Sequence, residues 1–319
     1  MSKPNKKIDF AVGGQALIEG VMMRSPNFIT AAVRKPKGNI ITTDKPYRGL
    51  GMRVKFFGIP FLRGVVNLFE MMIIGMNMLT FSANESIEED ATASSNKKDS
   101  PALGIISLII SFAFAIGLSL FLFKFLPLWI TTFLSDHIAI INDNYLLFNF
   151  IDGVIKTVFF IVYIALLALT PNIKRVFEYH GAEHKSIFAY EKGLDLTPKN
   201  AAKQTRFHPR CGTSFILIVF LISIFVYTFV PRQETFMLTF LVRVAFLPII
   251  AGIAYEALKW TATKQDSTIV KIMTTPGLWF QRLTTREPDL QQLEVAIESL
   301  KLALRLEGDN AKKQTVDVS

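Results

Sequence analysis

The sequence is poor in cysteine, histidine and charge. Its 319 residues include one cysteine, Cys211, and four histidines. A single cysteine excludes an internal disulfide and leaves a free thiol or a metal ligand. Charged residues make up 19% of the chain and hydrophobic residues 50%, and the apolar residues are concentrated in long runs. This composition disfavours a large soluble core and predicts a multi-pass membrane protein.

Other signatures are missing as well. Residues 1–9 are polar and basic, so we expect no secretory signal there. Gly13 and Gly14 lack the further glycines of a phosphate-binding loop, and there is no Gly-x-Ser-x-Gly elbow. The net charge is +9, but the basic residues are spread over three segments without an RNA-binding aromatic pattern. We therefore expect no nucleic-acid partner, and the lipid bilayer accounts better for the charge.

Four apolar runs approach or exceed the roughly 20 residues that a helix needs to cross the hydrocarbon core. Lys and Arg are absent from residues 131–145 and frequent in the loop of residues 171–211. The positive-inside rule then places both termini in the cytoplasm and the protein in the cell (inner) membrane. The predicted transmembrane domain is 101–260, and its spans are residues 103–130, 146–169, 215–230 and 236–258.

The segment of residues 60–84 is apolar but carries a polar stripe. Its polar side chains recur at helical spacing on one face, which predicts an amphipathic helix that lies at the interface or re-enters the bundle. A fifth span here would contradict the charge rule, so we reject it. The residues of the stripe are Arg63, Asn67, Glu70 and Asn77.

The remaining segments are assigned to the cytoplasm. Residues 10–58 predict a small β-rich, non-helical region, in which two β-prone runs, 28–34 and 39–43, flank a turn and form a hairpin. Residues 1–9 are expected to be disordered, and 85–100 to be a flexible linker.

The tail, 261–319, contains a break at Pro276-Gly277 and then a helix over 288–306, with disorder from 308 onward. That helix packs on the protein's own cytoplasmic domain or docks a partner. The fold class is thus a mainly α membrane protein with about four transmembrane helices, an interfacial or re-entrant helix, a β-rich N-terminal region and a C-terminal cytoplasmic helix.

The cytoplasmic loop of residues 171–211 carries the most informative motif, His180-Gly181-Ala182-Glu183-His184. On a helix the two histidines lie one turn apart on one face and can share a metal ion. The pattern H-x-x-E-H is the inverted zinc-peptidase signature. We therefore predict a divalent metal, zinc by preference, with Glu183 as the catalytic group that moves the proton of an activated water.

The predicted topology brings three more candidate ligands to the same membrane face. His208 and Cys211 precede the third span, and Glu256 lies near the inner end of the fourth. The metal assignment has ordinary alternatives. His180 and His184 could be hydrogen-bonded polar residues of a membrane-proximal loop, Cys211 a buried thiol at a helix start, and Glu256 the partner of Lys259 or an arginine. Two further residues, Arg210 and Lys185, could stabilise an anionic substrate.

At this point the chain resembles a known family. The motifs that carry the resemblance are residues 13–24, 179–185, 208–215 and Tyr255-Glu256. They are similar to those of the YqhQ-like family, bacterial multi-pass inner-membrane proteins with a domain of unknown function. The resemblance implies a metal-dependent enzyme without an established substrate or reaction. It also marks Gln15, Glu19 and Arg24 as motif positions, and we expect Glu19 and Arg24 to form a structural pair or to line one cleft.

Three functions remain open from the sequence. The first is a membrane-embedded, metal-dependent enzyme of hydrolase type, acting on a lipid or peptide where the bilayer meets water. The second is a non-enzymatic assembly factor or scaffold, in which a metal or polar cluster holds loops together. The third is a transporter, which the scarcity of intramembrane charge disfavours.

Overall fold

A computed structural model describes residues 12–87, 101–263 and 267–316. The tail expected at 1–9 and most of the linker expected at 85–100 lie outside these residues. The described part is a mainly α membrane protein with a small N-terminal antiparallel sheet, as the sequence predicts.

The sheet is an antiparallel meander of four neighbouring strands, β1 to β4. Its last two strands form the predicted hairpin, and Arg34 pairs with Ile40 next to the turn. The first turn has Glu19 in the left-handed region, with φ of 52°, a conformation that a tight hairpin turn requires. The strands are β1 Gly13–Leu17, β2 Gly20–Arg24, β3 Phe28–Arg34 and β4 Ile40–Pro46.

Thirteen helices follow within the described residues, together with a 3₁₀ turn at Lys55–Gly58 and a π-helical turn at Phe121–Phe125. The prediction that residues 10–58 contain no helix is wrong, because two short helical turns follow the sheet within this segment. The helices are α1 Leu50–Arg53, α2 Leu62–Glu85, α3 Pro101–Leu120, α4 Leu126–His137, α5 Ala139–Asp143, α6 Tyr145–Leu167, α7 Pro171–Glu191, α8 Pro198–Ala202, α9 Gly212–Thr228, α10 Phe236–Ala245, α11 Leu247–Thr263, α12 Thr268–Thr284 and α13 Leu290–Val316.

Side chains of the sheet alternate between two cores. Val21 and Met23 pack with α7 and α13 in one cluster. Between them, Met22 faces the opposite side, where Met78 of α2 closes a second cluster. Since successive side chains of a strand point to opposite faces, β2 is buried on both sides, and the sheet lies between α2 and the α7–α13 pair.

Four segments are long and apolar enough to cross a membrane, among the residues that the structure describes. Three match predicted spans, although the one near the C-terminus is broken into α10 and α11. The fourth is α2, which we predicted as an interfacial helix, and the predicted span at 215–230 is a shorter apolar helix. The four segments are Leu62–Glu85, Ile110–His137, Tyr145–Leu167 and Phe236–Thr261.

Helix α2 joins the apolar helices to the sheet. Near its start, Gly64 lies against the Tyr255 side chain of α11, where an added Cβ would be 2.6 Å from the Tyr255 Cβ. Near its end, the Ser82 hydroxyl accepts a hydrogen bond of 3.2 Å from the backbone N–H of Ile18 in the first hairpin. One continuous helix therefore sets the position of the sheet relative to α11.

Two predictions for the tail are wrong. Pro276 and Gly277 lie inside α12 and do not break it. The lost backbone hydrogen bond is offset by burial of Val270 and Phe280 on the same helix. The last helix also continues past 308 to Val316, so the expected disorder from 308 begins too early. This last helix packs on the sheet and on α7. Of the two predicted alternatives, it therefore packs on the protein's own domain.

Candidate functional site

The H-x-x-E-H motif lies on α7, so both histidines share one helix face as predicted. The His180 Nδ1 lies 2.8 Å from the Thr284 carbonyl oxygen and the His184 Nδ1 lies 2.5 Å from the Arg206 carbonyl oxygen. A carbonyl can only accept, so each Nδ1 carries the proton and each Nε2 of the neutral ring keeps a lone pair. This backbone arrangement is the one that orients histidines for metal binding.

Cys211 completes the cluster from another element. It is the N-cap of α9, buried, with its Sγ 3.2 Å from the His180 Nε2. The three possible ligand atoms of His180, His184 and Cys211 lie within 4.8 Å of one another. Two imidazole nitrogens and one sulfur suit zinc better than hard cations such as Mg²⁺, and three protein ligands leave a position open for water. The residues present therefore fit a catalytic type of zinc site.

Glu183 lies beside this group and is almost completely buried, at 4% exposure. One of its carboxylate oxygens is 3.4 Å from the His184 Nε2. Burial raises the pKa of Glu183, an effect that His180, His208 and the Gly14 backbone N–H partly offset. A side chain at position 14 would collide with Glu183, because an added Cβ would lie 2.6 Å from the Glu183 Cγ. Gly14 thus lets β1 close over the carboxylate.

His208 is close to the cluster but oriented differently. Its ring centroid is 5.6 Å from that of His184. Its Nδ1 accepts from the Arg210 backbone N–H at 3.2 Å, so the lone pair is already used within its own turn. Its Nε2 makes no hydrogen bond among the described residues and lies 3.5 Å from the Glu191 Oε1. Burial lowers the pKa of His208, which favours the neutral ring.

The two predicted cations have carboxylate partners. Arg210 pairs with Glu191, and burial lowers the pKa of its guanidinium. Lys185 pairs with Glu287 and donates to the Ala202 carbonyl at 2.9 Å. Only Arg210 lines the cavity at the cluster.

Glu256 does not lie at the cluster. Its carboxylate accepts from the Arg63 guanidinium at 2.7 Å and from the Phe61 backbone N–H at 3.3 Å. Of the alternatives that the sequence left open for Glu256, pairing with an arginine is the correct one. A carboxylate near the end of an apolar helix is stabilised by a cation on the neighbouring helix. The position of Glu256 in the sequence predicted its depth in the membrane but not which side chain it contacts.

The N-terminal motif residues have separate surroundings. Glu19 pairs with Arg175 and accepts from the Tyr179 hydroxyl at 3.1 Å, which fixes the first hairpin to α7. Arg24 donates to the Tyr47 hydroxyl at 3.2 Å and not to Glu19, so the expected Glu19–Arg24 pair is absent. Gln15 reaches the same cavity as the histidines.

A cavity of about 390 Å³ opens at the cluster. Its walls come from β1, from α7 and from the turn that leads into α9. This volume is at the lower end of those that hold small-molecule ligands. The residues that line it and carry chemistry are Gln15, His180, Glu183, His184, Arg210 and Cys211.

Sequence reasoning missed Gln281, which holds the turn before Cys211. Its side-chain oxygen accepts from the His208 backbone N–H and its amide donates to the His208 carbonyl, both at 2.8 Å. It is completely buried. Nothing in the sequence marked it, because a glutamine in an amphipathic helix gives no sign of a partner 73 residues away.

Fold and site together define a multi-pass helical membrane protein whose sheet-bearing domain holds a His-His-Cys group beside a buried glutamate. The chain belongs to the family described as a protein of unknown function (DUF1385), whose model matches residues 59–306. It is 37% identical over 312 residues, 97% of this chain and 96% of the relative, to a protein of Bacillus subtilis (strain 168) named "Uncharacterized protein YqhQ". These matches confirm the family resemblance. No solved structure matches the chain.

Proposed function

We propose that this protein is a metal-dependent enzyme of the cell membrane that activates water for a hydrolase-type reaction. The observation that carries the proposal is the pair of histidines whose Nδ1 atoms are both held by backbone carbonyls. The His180 Nε2 lies 3.2 Å from the Cys211 sulfur, and the ligand atoms of all three residues lie within 4.8 Å of one another. A metal-free polar cluster does not need two imidazoles fixed in the same tautomer.

The three ligands would be His180, His184 and Cys211. A bound zinc ion supplies Lewis acidity and lowers the pKa of water toward neutrality. Glu183 lies next to the ligand nitrogens and can accept a proton at a carboxylate oxygen. A nearby cation favours its ionised form against the effect of burial. Gly14 and the β1 backbone close over the carboxylate, which limits access of bulk solvent.

The proposal includes a place in the cell. The sequence rule for Lys and Arg puts the loop of residues 171–211 and both termini in the cytoplasm. The site then lies at the cytoplasmic face of the inner membrane, between the sheet and the ends of the apolar helices.

A scaffold is the second candidate, and one observation favours it. The cluster and its carbonyl partners tie together α7, the start of α9 and the end of α12. A metal or polar group at this junction could serve only to hold these elements. Glu183 separates the two functions, because an enzyme depends on its carboxylate whereas a structural clamp depends on the ligands.

The test is metal content, measured by inductively coupled plasma mass spectrometry on the detergent-purified protein. The wild type and Glu183→Gln should hold near-stoichiometric zinc, iron or manganese, and His184→Ala and Cys211→Ser should lose it. His137→Ala is the matched control, because His137 is exposed at the end of α4 and should leave the metal unchanged.

Thermal unfolding of the same proteins distinguishes enzyme from clamp. A clamp should unfold, at least locally, in His184→Ala and in metal-stripped wild type. With an enzyme site those proteins should lose only the stability that the bound metal and the buried His184 ring contribute, and should stay folded. No metal in any variant, even after reconstitution with zinc, iron or manganese, would contradict the enzyme and leave a metal-free scaffold as the better account.

A further inference from the structure

A second and larger cavity lies next to the candidate site, between the ends of α11 and α12. Its volume is about 540 Å³, within the range of cavities that bind small molecules. Arg210 lines this cavity as well as the one at the histidine cluster. The turn from His208 to Cys211 therefore lies between the two cavities, and Arg210 lines both.

The described residues that line this cavity carry charge of one sign. Lys259 of α11 and Lys271 of α12 line it together with Arg210, and none of the described residues that line it is acidic. Neither lysine has a salt-bridge partner among the described residues. Arg210 is neutralised by Glu191, so the unbalanced charge is that of the two lysines. An anion is the ligand that such a site attracts.

The rest of the wall is largely apolar. Leu258, Val270 and Leu278 contribute to it, and Val270 is 3% exposed. Next to the cavity, Ile269 and Ile272 of α12 are more than half exposed. Contiguous exposed apolar side chains mark an interaction surface, and a bilayer surface would cover these two.

The position of the cavity relative to the apolar helices fits an amphiphile. Tyr255 and Leu258 belong to the apolar segment Phe236–Thr261, and Lys259 lies at its end. Side chains at this depth meet both acyl chains and headgroups. A ligand here would place its charge near Lys259 and Lys271 and its chain against the leucines.

We propose that this cavity binds an anionic membrane lipid through its phosphate-bearing headgroup, and that such a lipid is the substrate class of the adjacent site. The part that concerns the substrate rests on the proposed function. Lipid binding in the cavity does not depend on that function, because none of the predicted metal ligands lines this cavity.

The experiment uses the full chain with Trp129→Phe, in nanodiscs of phosphatidylcholine. The remaining tryptophans, Trp260 and Trp279, lie on the two helices of the cavity and are 41% and 54% exposed. Brominated phosphatidylglycerol is added in steps and quenching of tryptophan fluorescence is recorded, with brominated phosphatidylcholine as the neutral comparison. We expect the anionic lipid to quench at a mole fraction about tenfold lower.

Two pairs of variants with equal charge changes test the assignment. Lys259→Gln with Lys271→Gln should abolish the preference for the anionic lipid. Lys199→Gln with Lys203→Gln removes the same charge at exposed positions elsewhere and should leave the preference intact. Equal loss in both pairs, or no preference in the parent, would overturn the proposal.

One variant and one competitor distinguish lipid binding in the cavity from attraction to the protein surface and from binding of free phosphate. Thr275→Phe adds bulk to the wall of the cavity without changing charge, so it should reduce quenching by the anionic lipid. Unchanged quenching would show surface attraction only and contradict cavity binding. Millimolar inorganic phosphate should leave quenching in place, and reversal by it would assign the site to free phosphate. Because quenching needs no metal, its outcome is independent of the metal analysis.

Discussion

Gly181 is the position at which one added methyl group should disturb the site most directly. It lies in the middle of α7, next to His180. An added Cβ would lie 2.1 Å from the Arg286 carbonyl oxygen and 3.3 Å from the Pro288 Cδ. The backbone oxygen cannot rotate away as a side chain could, so Gly181→Ala must push the segment after α12 away from α7.

The cost can be worked from the contacts that would be lost. The segment is held by the Arg286 N–H, which donates to the Phe177 carbonyl at 2.8 Å, and by the Thr284 carbonyl on His180. Two hydrogen bonds at about 1 kcal/mol each and overpacking of about 1–3 kcal/mol oppose a helix-propensity gain of about 1 kcal/mol. The net loss in free energy of unfolding is about 2–4 kcal/mol, or roughly 3–6 °C in melting temperature for a chain of 319 residues.

Thermal unfolding of the detergent-purified protein measures this loss. The matched control is Gly308→Ala, the same exchange inside α13, where an added Cβ has no atom within 4 Å. The control should be stabilised by up to about 1 kcal/mol. If the proposed metal site is correct, Gly181→Ala should also weaken metal binding about 10- to 100-fold, because His180 loses its orienting carbonyl. A melting temperature at or above wild type in Gly181→Ala would refute the reasoning.

Two other substitutions test contacts between distant parts of the chain. Gln281→Leu leaves the His208 N–H buried without a partner and its carbonyl with only the Cys211 N–H, at 3.2 Å. We expect a loss of about 2–4 kcal/mol in chemical denaturation, and a loss below about 1 kcal/mol would show that the Gln281 contacts are dispensable. Glu307→Ala removes both hydrogen bonds to Asn27, at 2.7 and 2.8 Å, and should cost about 2–3 kcal/mol. Glu298→Ala, on the exposed face of the same helix, should change stability by less than about 0.5 kcal/mol, and equal effects would contradict this account.

Most of the fold could be predicted from local sequence patterns. The hairpin between β3 and β4 followed from a turn between two β-prone runs, and the C-terminal helix from its leucine spacing. Its start is a capping box, in which Asp289 and Gln292 each accept from the other's backbone N–H. The end of that helix could not be predicted, because Gly308 weakens a helix and gives no information about what packs on it.

The site was predictable only in part, for a physical reason. Histidines four residues apart must share a helix face, so the pair on α7 followed from spacing. Cys211 and Glu256 were both assigned from their depth in the membrane, and depth does not distinguish neighbours. The structure brings Cys211 to the histidines and Glu256 to Arg63. The carbonyls that orient the rings belong to backbone groups and leave no mark in a sequence.

The two-sided burial of β2 also restricts how the gene can change in length. Deleting one residue within Gly20–Arg24 would move Val21 and Met23 to the side of α2 and Met22 to the side of α7 and α13. Both cores would be mispacked at once, and the sheet has no solvent face on this strand to absorb the shift. We therefore expect deletions and insertions among homologues to be absent from this strand and to collect in the turn around Gly38, which is open to solvent.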